Sequence, residues 1–370
     1  MRILYRADAG ARIGTGHIFR ALRLLQQISS RAHVDAVLAT ASDEAALRLA
    51  ARVPARIYEL PPVRDPQSVK PHFEVATLLP LLRRQEWDLV VVDMLDTPAA
   101  DMEVLADCGF PIVTFDDRGP GRAYACALIN TLIQEPNPSA LPASVHLYEG
   151  PAYAVLDPAY ANAHGAYRRP AGVPTRILVA MGGADAAGLT VKVARALRSV
   201  PNVEIVEFAT GPAFPHRTQL DEAVAGAPWQ AVIHVGLPRL LERYLEADLC
   251  IVAGGLTMYE VCCVGAPALA VCQPIDHQVE LAERLARKGA LRTLGYGHKV
   301  EPEAIAQAVL SLVHEPDVRR TMTQAGPTLV DGRGTERVAK ILWDTVERSR
   351  KRGSPGRHSD SDRNALPKQR

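Results

Sequence analysis

A histidine that follows two glycines is the residue of this 370-residue chain best suited to acid–base chemistry. His17 comes directly after Gly14-Thr-Gly16, between an apolar run at residues 3–5 and a helical pattern. Glycines let the backbone turn sharply and approach a ligand closely. The positive end of a helix disfavours an imidazolium, so we expect His17 to be neutral and able to accept a proton. A tight turn with a capping histidine would give the same pattern.

Charged residues lie on both sides of His17. Arg6 and Arg20 could hold anionic groups of a ligand, and Asp8 could orient a charge partner. The segment is not a dinucleotide-binding fingerprint, because Phe19 stands where the third glycine is needed.

A second glycine pair leads into another predicted helix. Gly254 and Gly255 follow an apolar run, and the amides of a glycine-rich helix start form an anion site that suits a diphosphate. Thr257 adds a hydroxyl. Glu260 either closes a capping box with Thr257 or grips the diol of a ribose.

Polar side chains follow two more apolar runs. His277 and Gln278 carry donors and acceptors that suit sugar hydroxyls, although Asp276 could simply cap the next helix and leave both solvated. Asp116 and Asp117 end another run. With no third ligand in the pattern, positioning or capping explains this pair better than acid–base work or a metal.

These motifs are joined by short apolar runs that alternate with helical patterns, which is typical of α/β proteins with doubly wound parallel sheets. Ligands of such sheets bind beyond the carboxyl ends of the strands. The loop Gly182-Gly183-x-Asp185 also follows a run, so we expect it to line the same cleft. The predicted strands are 3–5, 34–39, 89–93, 112–115, 127–130, 177–181, 204–209, 231–235, 249–253 and 268–272.

The pattern stops in the proline-rich segment 134–174 and restarts at Thr175. We therefore predict a first domain at 1–150, a connector at 151–174 and a second domain at 175–347. The segment 348–370 carries a net charge of +6 and one leucine. It is predicted to be a disordered basic tail.

Composition narrows the function classes. Hydrophobic residues make up 48% and charged residues 22%, and outside the basic tail the net charge is −5, which argues against a nucleic-acid partner. The six cysteines have no metal-ligand spacing and are expected to be free thiols in a reducing compartment. We find no secretory pattern at the N-terminus and no apolar stretch of 18 residues. The expectation is a cytoplasmic protein without a membrane span, with no obligatory protein partner evident.

Together the motifs resemble one family over residues 1–346. They are similar to the UDP-2,4-diacetamido-2,4,6-trideoxy-β-L-altropyranose hydrolases of pseudaminic acid biosynthesis, which are relatives of the bacterial UDP-GlcNAc transferase that makes lipid II. The blocks that carry the resemblance are Arg6-x-Asp8, Ile13-Gly14-x-Gly16-His17-x2-Arg20, Phe115-Asp-Asp117, Met181-Gly182-Gly183-x-Asp185, Gly254-Gly255-x-Thr257-x2-Glu260, Asp276-His277-Gln278 and the segment 331–337.

The resemblance implies a GT-B architecture, in which two Rossmann-like domains face each other across a cleft and the nucleotide rests mainly on the second. It implies release of UDP from a UDP-linked amino-deoxy sugar by metal-independent, inverting hydrolysis at the anomeric carbon, without a cofactor. The catalytic histidine of the family matches His17. Its diphosphate loop matches residues 254–257, and its ribose carboxylate matches Glu260. The chain departs from the family at residues 276–278, where the family favours Glu-Asn-Gln.

The residues assigned to substrate binding are Arg6, Asp8, Gly14, Gly16, Arg20, Asp117, Gly182, Gly183, Asp185, Gly254, Gly255, Thr257, Glu260, His277 and Gln278. Hydrolysis of a UDP-sugar needs only a base that accepts a proton from water and a site that holds the departing diphosphate. The alternatives are a GT-B glycosyltransferase with the same donor site and a catalytically idle nucleotide-sugar sensor, since a fold does not fix a function.

Overall fold

A computed structural model describes residues 1–10, 14–42, 44–61, 73–169, 172–212 and 214–352. Within these ranges the chain forms two parallel sheets, each covered by helices. Ile13 and most of the basic tail lie outside the described residues.

The first sheet has seven strands in the order β3-β2-β1-β4-β5-β6-β7, and every neighbouring pair is parallel. Its strands are β1 (Arg2–Ala7), β2 (Asp35–Thr40), β3 (Arg56–Glu59), β4 (Leu89–Asp93), β5 (Ile112–Phe115), β6 (Ala127–Asn130) and β7 (His146–Glu149). The helices of this half are α1 (Gly16–Ser29), α2 (Glu44–Ala50), α3 (Leu79–Leu82) and α4 (Ala99–Asp107).

The second sheet has six parallel strands in the order β10-β9-β8-β11-β12-β13. Its strands are β8 (Arg176–Ala180), β9 (Ile205–Thr210), β10 (Gln230–Val235), β11 (Leu249–Val252), β12 (Ala268–Cys272) and β13 (Arg292–Tyr296). The remaining helices are α5 (Pro158–Asn162), α6 (Leu189–Leu197), α7 (Arg217–Val224), α8 (Leu241–Glu246), α9 (Leu256–Val264), α10 (Asp276–Arg287), α11 (Pro302–His314), α12 (Pro316–Leu329) and α13 (Gly334–Arg352).

The apolar runs predict the central strands, and the structure confirms them within two residues at each end. Three strands were missed: β3, β7 and β13. All three are sheet edges, and none of their residues is fully buried, so polar residues such as Arg56, Glu59 and His146 are tolerated there. They therefore lack the continuous apolar run that marks a strand covered on both faces.

The last helix corrects the predicted domain limits. The helix α13 was assigned to the second domain up to residue 347, but Val338, Leu342 and Val346 pack into the core of the first sheet against α1. Residues 348–352, predicted as the beginning of a disordered tail, continue this helix, and Arg350 pairs with Asp88 at 2.7 Å.

Candidate active site

The strand order creates one crevice in each sheet. In the first sheet the order reverses between β1 and β4, and in the second between β8 and β11. Such switch points are the usual ligand sites of open parallel sheets, at the carboxyl ends of the strands. The two crevices meet, because the hydroxyl of Thr15 lies 3.4 Å from the position that a Cβ on Gly183 would take.

His17 occupies the first crevice as the second residue of α1. Gly14 ends the preceding loop with φ +84°, and its N–H donates to the carbonyl of Gly10 at 2.8 Å, which closes the loop before the helix begins at Gly16. The Nδ1 atom of His17 lies 2.7 Å from Oδ1 of Asp93, the last residue of β4. A carboxylate at Nδ1 holds the proton there and leaves Nε2 as a proton acceptor.

Asp93 is fully buried and has partners on both oxygens. Its second oxygen accepts from the hydroxyl of Tyr5 at 2.9 Å and lies 3.4 Å from Nε of Arg20. Asp93 was not among the predicted site residues. The sequence does show an aspartate at the end of an apolar strand. That this strand lies next to β1, and so brings Asp93 to His17, follows only from the strand order.

Arg20 requires a correction. It was predicted to hold an anionic group of the ligand, but its side chain is buried between Asp93 and Asp116, whose Oδ2 lies 2.7 Å from its Nη1. Its guanidinium also stacks 4.9 Å from the ring centre of Phe115. We therefore revise its role from ligand contact to support of the His17–Asp93 pair.

Arg6 is corrected in the same way, by its pairing with Asp8. They form a buried ion pair in which Nη2 of Arg6 donates to Oδ2 of Asp8 at 2.7 Å. Asp8 also accepts from the backbone N–H of Ala41 at 2.7 Å. Asp8 thus orients a charge partner as predicted, and the observed contacts of both side chains are with each other and with the protein backbone.

The acidic pair after β5 holds loops. Asp117, predicted to bind substrate, instead accepts from the N–H and hydroxyl of Thr97 at 3.1 and 2.5 Å and from the N–H of Gly119 at 2.9 Å. Burial raises the pKa of Asp117 to about 6. Burial also raises the pKa of Asp116, but Arg20 and backbone donors outweigh it, so the net pKa lies below the ordinary value.

The glycine loop after β8 lies at the edge of the cleft. Gly182 and Gly183 are exposed, and Gly182 has φ +87°. Asp185 is buried and accepts from the first two N–H groups of α6, Leu189 at 2.9 Å and Thr190 at 2.7 Å. In this structure it caps α6, and its contact with a substrate stays a prediction.

The helix α9 begins at the bottom of the second crevice. Gly255, its N-cap, has φ +89°, a conformation that favours glycine. A Cβ on Gly254 would lie 2.2 Å from Cβ of Gln278, so this position admits no side chain. The first N–H groups of a helix have no acceptor within the helix, and this arrangement at the start of α9 suits an anion.

Glu260 is not part of a capping box. Thr257 lies inside the helix and its hydroxyl donates to the carbonyl of Ala253 at 3.1 Å. The buried carboxylate of Glu260 accepts from Tyr244 at 3.1 Å and from Arg23 of the first domain at 3.3 Å. Burial raises its pKa, while Arg23 acts in the opposite direction.

His277 and Gln278 are the second and third residues of α10, and Gln278 packs against Gly254 before α9. Burial lowers the pKa of His277 to about 4, a shift that Asp116 opposes and the positive charge of Arg118 reinforces. His277 is therefore neutral at neutral pH and lies within electrostatic range of His17. The Oε1 atom of Gln278 is buried and has no partner among the described residues. Asp276 is the first residue of α10, and its Oδ1 accepts from the hydroxyl of Tyr296 at 2.8 Å.

The structure thus brings His17, the glycines 182 and 183, the start of α9 and the pair His277–Gln278 around one cleft. Within the described residues, no group of three or more potential metal ligands is found. No helix in the same ranges has the length and apolarity needed to cross a bilayer. All six cysteines are free, and Cys250, Cys262, Cys263 and Cys272 are buried.

Comparison with known proteins agrees with this architecture. The family "Glycosyltransferase family 28 C-terminal domain" matches residues 177–336, which contain the second sheet and the start of α9. Among solved structures, MurG from Acinetobacter baumannii superposes with a TM-score of 0.65 at 19% identity, over 93% of this chain and 99% of that one. The chain therefore has a GT-B fold, and its second half is similar to the C-terminal domain of that glycosyltransferase family.

Two curated relatives extend over most of the chain. The spore coat polysaccharide biosynthesis protein SpsG of Bacillus subtilis is 29% identical over 352 residues, 92% of this chain and 97% of the relative. The UDP-2,4-diacetamido-2,4,6-trideoxy-beta-L-altropyranose hydrolase of Campylobacter jejuni is 24% identical over 294 residues, 78% of this chain and 97% of the relative.

Proposed function

We propose that this protein is a nucleotide-sugar hydrolase that releases UDP from a UDP-2,4-diacetamido-2,4,6-trideoxyhexose, for nonulosonic (pseudaminic) acid biosynthesis. The observation that carries the proposal is the His17–Asp93 pair at the first crevice, in which Nδ1 of His17 lies 2.7 Å from Oδ1 of Asp93. The name of the Campylobacter jejuni relative supports the choice of substrate.

In the proposed reaction, His17 Nε2 removes a proton from a water molecule in the cleft. The water oxygen forms a bond to the anomeric carbon as the bond from that carbon to the diphosphate oxygen breaks, which inverts the configuration. Asp93 stabilises the imidazolium that forms. The amides of residues 254–257 stabilise the charge on the departing diphosphate.

The other side chains fit supporting roles in this reaction. Glu260 would take the ribose diol, in exchange for the hydrogen bonds that its two oxygens accept from Arg23 and Tyr244. His277 and the unpartnered Oε1 of Gln278 would contact the sugar. The exposed glycines 182 and 183 allow close approach of the ligand.

The test is UDP release from a panel of UDP-sugars without any acceptor, with and without excess EDTA. We expect hydrolysis of a diacetamido-trideoxy sugar nucleotide that EDTA does not abolish. His17→Ala should lower kcat by about 10²–10⁴-fold, the usual contribution of a general base. The Kd for UDP should change little, since the diphosphate site is on the other domain. Equal losses of UDP affinity and rate would remove His17 as the base.

The second candidate is a GT-B glycosyltransferase that uses a UDP-amino-sugar donor. The match of residues 177–336 to a glycosyltransferase domain favours it. No UDP release from any donor alone, but release once an acceptor sugar or lipid is added, would select this function.

A further inference from the structure

A short turn of the first domain is anchored in the second. Residues 130–133 (the 130–133 turn) begin at the last residue of β6, yet the side chain of Leu132 belongs to the apolar core of the second sheet. The hydroxyl of Tyr259 on α9 donates to the carbonyl of Thr131. Arg284 on α10 donates to the carbonyl of Leu132 at 2.7 Å. The turn therefore contacts both helices whose starts form the second half of the cleft.

The same turn is held from the first domain by Asp116. One carboxylate oxygen, Oδ1, accepts from the N–H groups of Thr131 and Leu132, each at 2.7 Å, and from that of Ile133 at 3.4 Å. Asp116 has φ +49°, which places its carboxylate over these amides. Such a conformation is uncommon for a residue other than glycine and persists where its surroundings require it.

The other oxygen of Asp116 connects the turn to His17. It binds Arg20, Arg20 reaches Asp93, and Asp93 holds the imidazole. Every side chain in this series is buried. A continuous set of charged contacts thus runs from the imidazole of His17 to the 130–133 turn, and from there to α9 and α10.

We propose that the 130–133 turn, with Tyr259 and Arg284 as positioning residues, fixes the distance between His17 and the helix starts of α9 and α10. This inference rests on the proposed function for its kinetic consequence. The diphosphate and sugar would be held by one domain and the base by the other, so a shift between them separates the base from the reacting carbon. A misplacement of about 1 Å can cost on the order of 10²-fold in rate.

The test uses Tyr259→Phe, which removes the interdomain hydroxyl and keeps the buried ring. We expect kcat to fall by about 10-fold or more, while KM and the Kd for UDP stay within about twofold because the start of α9 is intact. The matched control is Tyr167→Phe. Tyr167 is also buried and donates to a backbone carbonyl, that of Ala247 at 3.0 Å, but this bond does not reach the first domain. Both variants should lose similar stability.

Hydrogen exchange gives a readout that does not need turnover. In Tyr259→Phe, peptides that cover residues 130–133 and 16–20 should exchange at least about threefold faster, as local opening becomes less costly. In Tyr167→Phe these peptides should be unchanged. Arg284→Met should reproduce the effects of Tyr259→Phe.

The proposal is overturned if Tyr259→Phe leaves exchange in both peptides unchanged, or if its kcat matches that of Tyr167→Phe. If no UDP-sugar is turned over by the wild type, the proposed function fails, and the exchange results still decide whether the turn holds α1 against the second domain.

Discussion

At the scale of single residues, the chemistry of the site depends on which ring nitrogen of His17 carries the proton. Its Nδ1 faces Asp93, and Asp93 is itself held by Tyr5 and Arg20. The imidazole is therefore fixed in both orientation and tautomer. A histidine at a glycine-rich helix start is common, but one held by a buried carboxylate is equipped to act as a base.

Asp93→Asn should lower kcat by about 10²–10⁴-fold with little change in the Kd for UDP. The amide has one acceptor oxygen where the carboxylate has two, and it can place its NH₂ group toward Nδ1, which moves the imidazole proton to Nε2. Steady-state kinetics and UDP titration check this expectation. Thr190→Ser, which keeps a hydroxyl far from His17, serves as a folding control. A kcat near the wild-type value would show that Asp93 does not set the tautomer.

The lowered pKa of His277 should make the free energy of unfolding depend on pH. Its pKa falls from 6.5 to about 4 on folding, chiefly because of burial. The unfolded chain then binds more protons between these values, so the folded state loses stability as the pH falls from about 6.5 to about 4, by about 3 kcal/mol at most. Above pH 6.5 this contribution is constant.

His277→Gln should remove that part of the acid-induced decline, because glutamine does not titrate. Melting temperatures of both proteins between pH 4.5 and 7.5 provide the measurement. Parallel curves for the two proteins would mean that the acid-induced decline does not come from His277.

At the scale of elements, the proposed diphosphate site depends on how closely α10 approaches the start of α9. Gly254 lies directly against the side chain of Gln278, and the clash of an added methyl would be with Cβ, which cannot move without its helix. Two helix starts are thus packed as one unit, and glycine at this position is required by the contact as well as by the turn.

Gly254→Ala should therefore weaken UDP binding by about 10-fold or more, since a shifted loop no longer aims its amides at the diphosphate. Gly172→Ala is the matched control, because a Cβ there meets nothing within 4 Å and the backbone is not left-handed. Calorimetric titration with UDP measures both. Equal affinities for the two variants would contradict a diphosphate site at residues 254–257.

At the scale of the whole molecule, the chain crosses between the domains twice. It leaves the first sheet after β7, builds the second, and returns through α13 to cover α1. The arrangement makes the core of the first domain dependent on residues near the C-terminus, so the two halves are not separable by one cut in the connector.

A truncation after Arg333 removes α13 and exposes the apolar face that Val338, Leu342 and Val346 cover. We expect the first domain to lose its cooperative melting, or its melting temperature to fall by more than about 10 °C. A truncation after Arg352 is the matched control. The removed segment contains one leucine, so melting temperature and kcat/KM should stay within error. A loss of several degrees in the control would assign a structural role to the tail.

The sequence alone determined the α/β class, the two halves, the central strands and the loops that carry polar residues. It could do so because a strand covered on both faces must be apolar throughout, and because a strand, a glycine turn and a helix start are neighbours along the chain. His17 at the start of α1 and the glycines before α9 are local features of this kind, and their positions were predicted correctly.

The tertiary structure alone decided which side chains meet. Asp93 lies 76 residues from His17, and Arg23 lies 237 residues from Glu260, so their pairing follows from strand order and from the packing of one domain on the other. The same reason explains why Arg6, Arg20, Asp117 and Asp185 were assigned to a ligand. A charged residue beside a glycine loop looks alike in sequence whether it faces the cleft or is buried against a partner, and only the fold supplies the partner.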